Sequence, residues 1–121
     1  MMALGILVAL ALNASAAFPA DIQGEWSTTL SQCGDRTTGT VLVAADRLYF
    51  WESEFVPTEA DETDNKVLRG LWYELNEPHH SFIKLSLDAE GALQLQTEWS
   101  NVTYLKCEGS DLLERYLEGK A

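Results

Sequence analysis

Residues 81–99 read SFIKLSLDAEGALQLQTEW. Two alternating runs flank a short break. In the first, Ile83, Leu85 and Leu87 take one face, and Phe82, Lys84 and Ser86 take the other. In the second, Leu93, Leu95, Thr97 and Trp99 share a face, opposite Gln94, Gln96 and Glu98. A period of two with polar residues on one side marks antiparallel strands with one wetted face. The DAEG break at 88–91 supplies turn residues, so the segment reads as a hairpin.

Working outward, strands are expected at 24–31 (GEWSTTLS), 38–44 (TGTVLVA), 48–55 (LYFWESEF), 66–75 (KVLRGLWYEL) and 102–107 (VTYLKC). The segments GDRTTG (34–39), PTEADETDN (57–65) and NEPHH (76–80) read as loops or turns, as does Ser100-Asn101. Trp26 shares a face with Leu30, and Trp99 with Leu93 and Leu95, which makes both tryptophans core candidates. The end of the chain changes period. Leu112, Leu113, Tyr116 and Leu117 fall on one helical face, Ser110 can cap, Asp111 and Arg115 pair at i,i+4, and Gly119 stops the run. The expected fold is all-β: a seven- or eight-stranded antiparallel meander, barrel-like, with a short C-terminal helix at about 111–118 docked on its mouth or side.

The first segment reads differently. Residues 3–12, ALGILVALAL, are apolar and uncharged, and Ala14 and Ala16 fit an A-x-A cleavage pattern before Ala17, although no Lys or Arg precedes the run. This predicts a signal peptide over 1–16 and a single exported domain over 17–121, periplasmic or extracellular. The run falls short of the roughly 20 residues a membrane helix needs, and no other segment offers an anchor. An exported chain with two cysteines is expected to join them, here Cys33 and Cys107. In a seven-strand meander these cysteines follow strands that run the same way, so they sit at one end. The loop closed is about 75 residues, worth about 4.5 kcal/mol in the chain-entropy estimate. Closing the barrel also removes strand edges, in keeping with a monomer.

All 8 basic and 19 acidic residues lie beyond the signal segment, for a net charge of −11. Such a surface argues against nucleic acid or an anionic membrane as partner. The chain lacks G-x-S-x-G and H-E-x-x-H. Glu52, Glu54, Glu74 and Glu98 are the carboxylates available for glycosidase-type pairing, but a chain this small leaves little room for a deep cleft, and no enzyme, cofactor or metal is expected. His79-His80 reads as a solvated turn, and Glu59, Asp61, Glu62 and Asp64 as a solvated loop without the regular calcium spacing. Asn101-Val102-Thr103 matches the glycosylation sequon.

Candidate binding residues cluster in LYFWESEF. As one strand it puts Tyr49, Trp51, Ser53 and Phe55 on one face and Leu48, Phe50, Glu52 and Glu54 on the other. The simplest assignment buries Tyr49, Trp51 and Phe55. A rival, with a bulge near Ser53, buries Leu48 and Phe50 and turns Glu52 inward, where Arg36, Arg47, Arg69 or Lys84 would have to pair with it. Trp51, Trp72 and Glu52 are the tentative ligand-binding residues.

Three resemblances follow from motifs. Gly24-Glu25-Trp26 is a G-x-W that resembles the opening of calycin barrels, lipocalins and avidins, which implies a Trp packed across a barrel floor. The run DIQGEW from Asp21, followed by Cys33, resembles the start of small periplasmic inhibitors of bacterial metalloproteases. That likeness implies an N-terminal segment, here 17–21, inserted into a protease cleft. The second cysteine of that family falls mid-chain, unlike Cys107. The span from Gly24 to Cys107, with DRLYFWES at 46–53 and Tyr104-x-x-Cys107, is similar to small exported bacterial proteins of unknown function. The expected role is non-enzymatic, a binding or accessory protein for a small apolar ligand or a protein partner. The alternative is protease inhibition through the N-terminal segment.

Overall fold

A computed structural model describes residues 18–61, 63–64, 66–75 and 77–119. The expected signal peptide, 1–16, lies outside the described residues, as do Ala17 and Glu62.

The alternating segments form eight strands: β1 (Gly24–Ser27), β2 (Thr40–Val43), β3 (Leu48–Tyr49), β4 (Ser53–Ala60), β5 (Val67–Glu74), β6 (Glu77–Leu87), β7 (Leu93–Gln96) and β8 (Asn101–Lys106). Each runs antiparallel to the next, and β8 returns to β1, closing the barrel. The count is therefore eight, and the first and last strands are antiparallel. The disulfide Cys33–Cys107 does form. It does so because β1 ends at Ser27, a 3-10 turn follows at Leu30–Gln32, and the chain folds back beside the wall. Leu30 is consequently exposed instead of continuing the strand.

The eighth strand comes from LYFWESEF, which is not one strand. β3 and β4 form a hairpin with Leu48 opposite Phe55 and Tyr49 opposite Glu54. The Phe50 N–H donates to Ser53 O at 2.8 Å around the turn residues Trp51 and Glu52. The reversal puts both Leu48 and Phe55 into the barrel and Tyr49 on the outside, so neither single-strand assignment survives whole.

Other boundaries also move. Residues 57–60 belong to β4, where the register shifts between Pro57 and Glu59. His79 and His80 lie in β6, not in a turn. Residues 77–83 of β6 pair only with β5, because β7 joins β6 from Lys84 onward. Pro78 thus occupies a local edge, the place in a sheet where a missing N–H costs least. β7 stops at Gln96 because the Thr97 hydroxyl accepts the N–H groups of Trp99 and Ser100. That turn takes Trp99 out of the alternation and leaves it 57% exposed.

The core is built by the inward faces of all eight strands, with Trp26, Phe55, Trp72, Ile83, Leu93 and Leu95 among its side chains. Phe18 and Ile22, from the segment before β1, join the same core. The 3-10 turn Ala20–Ile22 lies at one end, the floor. The Trp26 indole N–H donates to Ile22 O at 2.9 Å, and Lys106 Nζ donates to Gln23 O at 2.7 Å. That ammonium lies 4.8 Å from the centre of the Trp26 ring. A cation held over an aromatic face is attracted to it, more so as water is excluded.

The helix α1 (Leu112–Leu117) packs on the outside, against β1. The Leu112 N–H bonds Ser110 Oγ, Arg115 bonds Asp111, and Gly119 ends the run at φ 79°. Tyr116 rests on Tyr49, and the Arg36 guanidinium stacks over Tyr116.

Candidate functional site

Two places gather chemistry-bearing side chains: the wall under the disulfide and the mouth opposite the floor. In the wall, Glu25 is 2% exposed. Its neighbours in G-x-W alternate with it, so as Trp26 points inward Glu25 points outward, into the space between β1 and the returning loop. The Gly34 N–H donates to Glu25 Oε2 at 2.6 Å, and the Ser110 hydroxyl donates to Oε1. The Cys107 N–H bonds Glu25 O at 3.0 Å. The carboxylate lies within 4.8 Å of both cysteine sulfurs, which are joined to each other as a disulfide. A buried acid satisfied by two donors, one from each cysteine-bearing segment, ties those segments together.

The mouth carries the turns at 50–52 and 97–100 and, at the end of β5, Leu75. The meander brings alternate connections to the same end, so distant parts of the sequence meet here. Four rings run along it. His79 lies edge-on to Trp99 at 5.7 Å, Trp99 to Trp72 at 5.0 Å, and Trp72 meets Phe50 at 4.9 Å. Trp99, in the turn after β7, stands against Trp72 of β5 and His79 of β6 on the side where β6 runs past the end of β7. On the same side Ser81 Oγ donates to Glu98 Oε2 at 2.6 Å.

Of the tentative binding residues, Trp72 is buried inside and belongs to this ring series, whereas Trp51, 46% exposed, and Glu52 form the β3–β4 turn. Glu52 points neither into the barrel nor at a cation. Its candidate partners are engaged elsewhere: Arg36 with Phe50 O, Arg47 with Glu54, Arg69 with Asp61, and Lys84 with Asp64.

Two open clefts flank the turns. One, of about 340 Å³, is lined by Glu52, Glu74, Leu75, Glu77, Pro78 and His79. The other, of about 300 Å³, is lined chiefly by Tyr49, Phe50, Trp51, Tyr73 and Tyr116, again with Glu52 and Leu75. Sequence reading missed Leu75, the residue shared by both clefts with Glu52. It is 86% exposed and adopts φ 53°, the left-handed region. Among the described residues it is the one non-glycine with a positive φ. The signal was present as a Leu-Asn pair between two strands, but a leucine is not a turn residue by composition.

The acidic loop is self-contained. Asp61 Oδ2 accepts from the Thr63 hydroxyl and from the N–H groups of Thr63 and Asp64. These bonds, the Thr63 hydroxyl first, hold the Asp61 carboxyl down at about 2.

No family model, curated protein or solved structure matches this chain.

Proposed function

We propose that this is an exported, non-enzymatic binding protein that engages its partner across the mouth of the barrel. The observation that carries the reading is the placement of Trp51, Trp99 and Leu75, three large apolar side chains left exposed on neighbouring turns at one end. Apolar surface kept in water contributes nothing to folding, and its concentration at one site is characteristic of interaction surfaces. Barrel mouths are common places for ligands. Trp72 and Phe55 lie in the core below the rim, which favours a partner held on the rim over one enclosed in the barrel.

Inhibition of a protease through residues 17–21 is the less favoured reading. It needs a free arm, and Phe18 is 1% exposed. The Phe18 N–H bonds Ala45 O, and its carbonyl accepts from Gln23 Nε2 at 2.8 Å. Inserting this segment elsewhere would unpack the floor.

The test is a set of titrations followed through the indole N–H resonances, assigned with Trp→Phe variants. A neutral apolar dye, a neutral oligosaccharide and a cationic peptide are added in turn. At least one is expected to shift Trp51 and Trp99 while leaving Trp26 in place. If all three leave Trp51 and Trp99 unmoved, the reading is overturned.

A further inference from the structure

We propose that the partner at the mouth is a basic peptide segment in which a lysine or arginine stands beside a bulky apolar residue, with Leu75 wedged between the two. This rests on the mouth being the binding surface and specifies what it takes. The two clefts differ in character and share Glu52 and Leu75, which form a ridge between them. On one side of the ridge stand the carboxylates of Glu52, Glu74 and Glu77, all exposed. They converge on a cleft whose one other titratable lining group is His79. Among the described residues none of the three takes part in an ion pair, since Arg47 is held by Asp46 and Glu54, Arg69 by Asp61, Lys84 by Asp64 and Arg115 by Asp111. This side therefore carries uncompensated negative charge, and the whole chain, at −11, adds to its field. On the other side Tyr49, Phe50, Trp51, Tyr73 and Tyr116 line a cleft whose remaining side chains include the polar Ser53, Glu54 and Arg36. The one guanidinium on that side, Arg36, is committed to Phe50 O and to the Tyr116 ring. Unpaired carboxylates beside a cleft lined by aromatic rings are complementary to a segment that carries a cation close to an apolar side chain.

Leu75 supplies an independent observation. A leucine in the left-handed region is strained, and its side chain is turned into solvent on the ridge. Neither feature helps the barrel fold, and asparagine or glycine would close the same turn with less strain. A residue that costs stability twice, placed between two clefts, is what a binding anchor requires.

The experiment uses the full domain and a blocked peptide of alternating lysine and leucine. The controls are the same peptide with glutamate for lysine and with serine for leucine. The Lys-Leu peptide is expected to shift Trp51 and to bind about tenfold or more tighter than either control, with affinity falling as salt rises. Leu75→Asn is expected to weaken that binding about tenfold while the melting temperature holds or rises. The double variant Glu74→Gln, Glu77→Gln is expected to weaken it and to flatten its salt dependence. The proposal is overturned if the Glu-Leu peptide binds as well as Lys-Leu. It is equally overturned if Leu75→Asn keeps full affinity, or if it lowers the melting temperature, which would make Leu75 a structural residue. Should a neutral dye or oligosaccharide move Trp51 and Trp99 when no Lys-Leu peptide does, the peptide proposal fails and the binding reading stands. Should nothing move them, both fail.

Discussion

Glu25 holds two donors that no other group reaches: the Gly34 N–H and the Ser110 hydroxyl. The carboxylate is itself almost fully enclosed, between half-buried residues of the returning loop and of the segment after Cys107. Glu25→Ala should cost about 2–4 kcal/mol, since each buried donor left unpaired costs about 1–3 kcal/mol. Glu25→Gln keeps the shape and one acceptor oxygen but turns an NH₂ toward the other donor, so it should cost about half as much. Urea unfolding of the oxidised proteins measures both, and equal stability of Glu25→Ala and wild type would show the clamp to be dispensable. Asp61 presents a different case, exposed yet firmly bonded. Its carboxyl titrates at about 2, below its ordinary 3.8, so the proton is bound more tightly in the unfolded chain. Its contribution is therefore complete above pH 3.8 and is lost as pH falls through about 2. Thr63→Val removes the donor with the largest effect, and the Asp61 midpoint, followed by carboxyl NMR, should move up toward 3.8. An unmoved midpoint would mean that the backbone N–H groups suffice.

At the scale of elements, the long hairpin β4–β5 depends on Gly70. The register shifts between Pro57 and Glu59, opposite this residue, and the two backbones come close there. A Cβ at Gly70 would stand 2.2 Å from Val56 O and 2.7 Å from Pro57 Cα, both backbone atoms that cannot swing aside. Gly70→Ala should destabilise by about 1–3 kcal/mol, the range for overpacking a tight site, read as a lower thermal midpoint. An unchanged midpoint would show that the bulge absorbs the methyl. This contact was not legible beforehand, because it depends on a register shift that no local pattern announces. What was legible is what period two encodes: the 81–99 hairpin, the strand at 67–74 and the late amphipathic helix. The break in LYFWESEF was hidden for a physical reason. Its turn, Trp51-Glu52, has neither glycine nor asparagine and no positive φ, so the usual sign of a two-residue hairpin is missing. Trp72 could be picked as a binding candidate by residue type, yet its pairing register turns it into the core. Leu75 escaped because exposure and backbone strain exist only once the chain is folded.

The whole molecule is unevenly braced. β4, β5 and β6 span 8, 8 and 11 residues, whereas β1, β2, β3 and β7 span 4, 4, 2 and 4. The seam between β1 and β8 has only two register pairs, Trp26 with Lys106 and Ser27 with Leu105. Most of the additional ties lie on this thin side: the disulfide, Glu25, Lys106, α1 and the floor segment. Phe18 completes the floor, and Phe18→Ala should cost about 3–5 kcal/mol, the usual loss for a buried ring. A free-arm role for this segment predicts instead that the thermal midpoint is unaffected. The disulfide is the strongest brace. It joins residues 74 apart, so the chain-entropy estimate gives about 4.5 kcal/mol. That is close to the entire stability of a marginal small domain, about 5 kcal/mol. The pair Cys33→Ser, Cys107→Ser removes this constraint and also the covalent tie across the seam. Opening should therefore begin there. Amide exchange should accelerate first at β1 and β8, while the β4–β6 amides keep their protection until global unfolding. Uniform loss of protection across all eight strands would show that the barrel opens as one unit, and that the cross-link acts only by restricting the unfolded chain.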